Sequence, residues 1–187
     1  MSAFVALLRG VNVAGSRRVG MEALRASFEA LGNTEVESYL QSGNLVFSST
    51  QEDSHALADA LEARLAADLG QEVNALVLPA KEFDEIVRAN PLAPRAAKAG
   101  GMYHATFLFR HVPETLFAEQ QLPLQEGEKA ALVGRVVYLY CPNGYGKSGL
   151  TNAFFEKALG SRATTRNWRT VRALQALCVK RAAPAAA

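Results

Sequence analysis

The strongest constraint on this 187-residue chain is the order of hydrophobic periods in its first 79 residues. Residues 4–9 form a short apolar run closed by Gly10, the pattern of a buried strand. Met21, Leu24, Phe28 and Leu31 recur at helical spacing and Gly32 follows as a stop, which predicts a helix over about 20–31. Residues 36–40 and 45–47 read as strands, and Gln41-Ser42-Gly43-Asn44 between them supplies the turn chemistry of a hairpin. Leu57, Leu61, Leu65 and Leu69 then fall four apart, an apolar stripe on a helix that Thr50, Asp53 or Ser54 can cap. Residues 73–78 close the unit as a strand before Pro79. The order β-α-β-β-α-β is that of a ferredoxin-like split βαβ unit, whose two crossovers bring four strands into one sheet.

The remainder echoes this order less completely. A helix at about 80–89 carries Phe83, Ile86 and Val87 on one side, and residues 91–101, rich in Pro, Ala and Gly, read as a mobile connection. A strand at 103–110, a short helix at 113–120, and strands at 130–133 and 135–140 about a tight turn at Gly134 follow. Helices at about 150–159 and 168–181 end the pattern, and the final Ala-Ala-Pro-Ala-Ala-Ala reads as a frayed tail. The expected class is α+β, with a ferredoxin-like subdomain at 1–79 and a second α/β subdomain at 80–181. The second is incomplete, its last strand replaced by a helix, and residues 182–187 form a disordered tail.

Composition excludes several classes. With 49% hydrophobic and 20% charged residues the chain can bury a core, which rules out disorder and collagen. No apolar run reaches the roughly 18 residues of a membrane span, and the start lacks the basic region of a signal peptide, so a cytoplasmic protein is expected. Cys141 and Cys178 are too few for a disulfide framework and read as buried thiols. Charge is unevenly spread: residues 19–94 hold 13 acidic and 4 basic residues, whereas after Glu156 there are seven Lys and Arg and no acid. A one-sided basic segment suits a phosphate or nucleic-acid contact, or a solvated helix face offsetting the acidic half.

Three loops can carry chemistry. Residues 142–149, Pro-Asn-Gly-Tyr-Gly-Lys-Ser-Gly, link a strand to a helix; their glycines permit inward N–H groups and Lys147 adds a full charge, an arrangement suited to an anion. A P-loop would need Gly where Cys141 stands, so a standard nucleotide triphosphatase is rejected, and Ser148 as a simple helix cap is the plain alternative. Residues 163–170 open the last helix, where Thr165 or Asn167 can cap and Arg166 stands beside the N-terminus. On that helix Val171, Leu174, Leu177 and Cys178 share one face and Arg169, Arg172 and Lys180 the other, while Trp168 reads as a core anchor. The third loop, residues 9–18, sets three arginines and two glycines where a strand end meets a helix start. His55, His104 and His111 lack ligand-spaced companions, which argues against a metal site. No cofactor and no catalytic grouping is specified.

Leu7-Leu8-Arg9-Gly10-Val11-Asn12-Val13, Met21 with Leu24, residues 39–47 (Tyr-Leu-Gln-Ser-Gly-Asn-Leu-Val-Phe), Gly146-Lys147-Ser148, and Thr165-Arg166-Asn167-Trp168 with Thr170-Val171 resemble the signature blocks of the bacterial domain of unknown function 1697 family. The resemblance runs in order over nearly the whole chain, with Ala14 where members often carry Gly. It implies a pair of ferredoxin-like α/β subdomains and no activity.

Two binding readings follow. In one, Arg9, Asn12, Lys147, Ser148, Arg166 and Asn167 line a basic cleft between the subdomains for a phosphorylated small molecule or nucleotide, with Lys147 and Arg166 as surface-facing anion contacts and the two asparagines orienting the ligand. In the other, the basic last helix makes a weak, salt-dependent nucleic-acid contact; only Phe47 stands in place of the stacking aromatics of an RNA-recognition module. A dimerising scaffold using open sheet faces is the third class; the plain alternative to the cleft is that Asn12 and Asn167 merely cap turns and Arg9 pairs with a carboxylate. No membrane partner is expected, and no motif sets the oligomeric state.

Overall fold

The computed structural model describes residues 1–12, 19–92 and 101–182. The latter part of the arginine-rich loop, including Ala14, most of the expected mobile connection, and the tail from 183 lie outside the described residues. Elements follow in the order β1 (Ser2–Arg9), α1 (Met21–Glu29), β2 (Thr34–Tyr39), β3 (Asn44–Ser49), α2 (Ser54–Leu69), β4 (Asn74–Pro79), α3 (Ala80–Arg88), β5 (Tyr103–Leu108), α4 (Glu114–Ala118), β6 (Lys129–Val133), β7 (Val136–Tyr140), α5 (Asn152–Leu159), β8 (Ala163–Asn167) and α6 (Trp168–Ala182). They group into two compact units, Met1–Glu85 together with the chain from Ala173, and Ile86–Arg172. None of the described helices is long and apolar enough to cross a membrane.

In the first unit the strands lie in the order β2-β3-β1-β4, each antiparallel to its neighbour. This is the ferredoxin-like arrangement, and it follows from the alternation of strand residues. Phe4, Ala6, Leu8, Leu45, Phe47, Ala75 and Val77 share one core with Leu24 and Phe28 of α1 and Leu57, Leu61 and Leu65 of α2. Phe28 meets Phe47 edge to face with centroids 5.3 Å apart. Fully burying each such side chain contributes roughly 1.5–3 kcal/mol. Of the three candidate caps for α2 it is Asp53 that acts, its carboxylate accepting the His55 N–H at 2.8 Å and the Ala56 N–H at 3.3 Å. The opposite sheet face is covered as well, since Val5, Leu7, Val46, Leu76 and Leu78 are all buried.

The second unit repeats the topology in full, with strand order β6-β7-β5-β8, all neighbours antiparallel. The strand missing from the sequence reading is β8. Its five residues, Ala-Thr-Thr-Arg-Asn, precede the helix expected at about 168–181 and read from sequence only as the segment that opens and caps it. The β-branched Thr164 and Thr165 instead favour extended backbone, and Asn167 ends the strand and caps α6 without an intervening loop. Leu108, Val137, Leu139 and Ala163 form a core on one face with Leu150, Phe155 and Leu159, against which Leu116 and Phe117 pack. On the other face Ala105, Phe107, Val136 and Tyr138 are buried, and the Tyr138 hydroxyl donates to the Ile86 carbonyl at 2.7 Å. Trp168 packs edge to face on Tyr138, as a core anchor should. The helix expected from 150 begins at Asn152, capped by Thr151 rather than Ser148.

Candidate functional site

In the first unit Asn12 serves the backbone. Arg9 ends β1 and is half-buried. Asn12 adopts left-handed backbone at φ 53°. Its Nδ2 donates to the carbonyls of Val19 (3.0 Å) and Gln41 (2.9 Å), and its Oδ1 accepts the Val19 N–H at 2.7 Å. All of these bonds tie the loop ends to each other and to the β2–β3 hairpin, so the amide is committed to structure.

The second unit gathers more. Where β7 ends, residues 142–149 fold back through a 3-10 turn at Tyr145–Lys147. The N–H groups of Gly144, Lys147 and Ser148 donate to the carbonyls of Cys141, Gly144 and Tyr145. They are thus spent inside the turn, and the loop is not the backbone anion cradle that its glycines suggest. Ser148 is buried, its Oγ accepting the Leu150 N–H at 3.1 Å. The Gln125 side chain donates to the Lys147 carbonyl. The Lys147 side chain itself is exposed and pairs with no acid among the described residues.

Tyr145 fixes this turn to the sheet. Its ring stacks on His104 with centroids 4.7 Å apart, and its hydroxyl donates to Thr165 Oγ1 at 3.1 Å. Thr165 in turn meets Asn152 Oδ1 at 2.7 Å and Thr106 Oγ1 at 2.8 Å. Burial raises the Tyr145 pKa against the opposing Thr165 bond, so the phenol remains a neutral donor.

At the end of β8, Asn167 Oδ1 accepts the Arg169 N–H at 2.9 Å, capping α6 and orienting the amide. Its Nδ2 then faces the Gly101 carbonyl and His104 Nε2, both at 3.4 Å. That assigns the acceptor role to Nε2 and the proton of the neutral ring to Nδ1. Nδ1 is buried and has no hydrogen-bond partner among the described residues. The Met102 carbonyl, which already accepts the Cys141 N–H, favours the charged ring but falls short of bonding geometry; burial outweighs it and lowers the His104 pKa. Arg169 is exposed, without an ion pair among the described residues, and its guanidinium lies against Gly101, where an added β-carbon would sit 3.3 Å from Nη2.

Folding therefore carries a pH signature. The unfolded imidazole takes a proton near 6.5, whereas the folded ring stays neutral to lower pH. The unfolded state binds more protons in that window, so stability should fall as pH drops from 6.5 through the depressed folded value. Thermal melts of His104→Asn across this range should show a shallower loss; an unchanged slope would place its source elsewhere.

Arg166 stands apart from this cluster. Strand alternation sends Asn167 and Thr165 to the face of His104, and Arg166 to the opposite one. It is 8% exposed rather than surface-facing. Its Nη1 donates to Thr164 Oγ1 at 2.7 Å and to the Thr165 carbonyl at 3.0 Å, and burial lowers its pKa to about 10. Of the predicted residues, then, the Lys147–Ser148 loop and Asn167 meet through Tyr145 and His104, whereas Arg166 turns away and Arg9 and Asn12 belong to the first unit. His104, Tyr145 and Arg169 complete the cluster. Their signals in the sequence were slight: a tyrosine between two glycines, a histidine alternating with Thr106, and an arginine two residues after a capping Asn. Both cysteines are buried free thiols, with pKa values raised by burial to about 11.

A family model described as a protein of unknown function, DUF1697, matches residues 1–138. The chain belongs to the DUF1697 family. The match covers the Met1–Glu85 part of the first unit and much of the second, and stops before the Lys147 loop, β8 and α6. No curated protein matches this DUF1697 chain. Among solved structures it is similar to the conserved bacterial protein SP0830 from Streptococcus pneumoniae, with a TM-score of 0.69 and 22% identity over 95% of this chain and 98% of that one. That likeness shows the fold alone.

Proposed function

We propose that this DUF1697 protein is a cytoplasmic binder of a phosphorylated small molecule or nucleotide, and that the phosphate group is held at the end of the second sheet by Lys147 and Arg169. The observation that carries the reading is the pair of exposed cations without ion-pair partners among the described residues, each tied by its own backbone to the His104–Tyr145–Asn167 cluster. Neighbouring segments held by a stack and a helix cap limit the entropy lost when a ligand orders two long side chains. The α6 N-terminus adds partial positive charge, and the chain after Glu156 has no acid to compete. Asn167 and Ser148 then act as supports rather than ligand contacts.

The nucleic-acid reading is weaker. A stacking platform needs freely exposed aromatics on central strands, yet Phe107 and Tyr138 are buried, and the half-buried Tyr103 and Tyr140 pack on each other with centroids 4.8 Å apart. Buried faces on both sheets equally disfavour a scaffold that dimerises through open sheet faces.

Calorimetric titration with inorganic pyrophosphate tests the proposal. Saturable binding is expected, weakened about 10- to 100-fold by Lys147→Ala or Arg169→Ala, as for loss of a charge-assisted contact. Exposed Lys157, on α5, is the control, and Lys157→Ala should bind as the native chain does. An equal loss in that control, or no saturation by the native protein, would reject the site.

A further inference from the structure

Four strands lie at the margins of the two sheets: β2 and β4 in the first, β6 and β8 in the second. An open margin offers unpaired N–H and C=O groups to any extended chain, so its treatment is informative. Three are interrupted. β2 changes register between Thr34 and Glu37, has Glu35 at φ 52°, and receives the Arg181 guanidinium on the Glu35 carbonyl. On β4, Glu62 Oε1 accepts the outward Ala75 N–H at 2.9 Å, and Pro79 has no N–H to offer. On β8, Glu156 Oε1 accepts the outward Ala163 N–H at 2.9 Å, and Arg166 occupies the Thr165 carbonyl. β6 carries no such device among the described residues, and none of its five residues has a further partner there.

The hairpin turn determines which β6 groups face outward. Residues 134–135 form a two-residue turn with Gly134 at φ 60°, so the flanking Val133 and Val136 exchange hydrogen bonds. Bonded pairs recur at Ala131 with Tyr138 and at Lys129 with Tyr140. The N–H and C=O groups of Ala130 and Leu132 consequently point away from β7, into the open margin.

We propose that a second copy of this chain pairs at this margin, β6 antiparallel to β6 about a two-fold axis at Ala131. In that register Ala130 of each copy exchanges both backbone hydrogen bonds with Leu132 of the other, four bonds in all. Ala131 falls opposite itself in a non-bonded pair, where Cα atoms approach to about 4.5 Å and alanine is small enough to fit. Lys129 faces Val133 rather than another lysine, so no like charges are directly opposed. This self-complementarity favours a second copy over an unrelated strand, and the symmetry closes the assembly at two. Five residues bury far less than the roughly 1,600 Å² of a standard interface, so the dimer is reversible and concentration-dependent. The inference is independent of the phosphate site.

Sedimentation of the full chain up to about 1 mM should show monomer–dimer exchange. Ala131→Cys should cross-link to itself under mild oxidation, because a non-bonded antiparallel pair meets disulfide geometry, whereas Lys129→Cys, opposite Val133, should not. The native thiols are buried and do not compete. Ala130→Pro removes only an outward N–H and should weaken association about tenfold or more. A native chain that stays monomeric overturns the proposal, as does cross-linking no faster at 131 than at 129. A folded Ala130→Pro variant that associates normally also overturns it; should that variant not fold, the cross-linking comparison decides.

Discussion

Gly43→Ala should destabilise the protein by about 2–4 kcal/mol, the sum of a left-handed backbone penalty and an overpacking cost. Gly43 holds φ 72° at the end of the β2–β3 turn, and an added β-carbon would lie 2.8 Å from Leu8 Cβ and 3.3 Å from Val11 Cβ. Neither atom can swing aside as the tip of a long side chain could. Leu8 is buried in the middle of the core, and its N–H donates to the Gly43 carbonyl at 2.8 Å, so β1 and the turn would have to part. Gly70, which ends α2 at φ 65° and ψ 24°, supplies the comparison. It has nothing within 4 Å of its added carbon, so Gly70→Ala should cost only the left-handed backbone penalty, about 1–2 kcal/mol. Urea denaturation of the two variants separates clash from strain, and equal losses would show that the Leu8 contact relaxes without cost.

The same hairpin shows what the sequence made legible. Gln41-Ser42-Gly43-Asn44 announced a turn through residue chemistry alone, and alternation on the flanking strands set the buried face. What stayed hidden was the contact of Gly43 with Leu8, because nothing local says that residues 35 positions apart will touch. β8 escaped for a different reason. Its Thr-Thr pair is a weak strand signal beside the long apolar stripe of α6, and its neighbour in the sheet, β5, lies some sixty residues earlier, so helix periodicity dominated the local reading. The loop at 142–149 misled through its glycines, which permit N–H groups to face a ligand but do not oblige them to; here three serve the turn itself. Strand assignment then decides the site, since once 163–167 is extended, adjacent residues must face opposite ways. Arg166 and Asn167 could share a pocket only at a helix start.

That alternation leads to the second large effect. Arg166→Ala should destabilise the fold by about 3 kcal/mol, whereas Lys147→Ala should stay within about 0.5 kcal/mol of the native chain. Arg166 carries its charge into a site where it is 8% exposed, and burial lowers its pKa to about 10, so it remains protonated at neutral pH. Such a charge persists only because acceptors surround it. Truncation would leave the Thr165 carbonyl and Thr164 Oγ1 without this donor and open a cavity beside the sheet. Arg166→Met, which refills the volume without the charge, should recover part of the loss, since desolvating a guanidinium is itself costly. Denaturant melts measure these terms, and pyrophosphate titration of the folded Arg166→Met variant separates structure from binding. Near-native affinity is expected, because Arg166 lies on the sheet face opposite His104, Thr165 and Asn167. Lost affinity with unchanged stability would instead return Arg166 to the anion site.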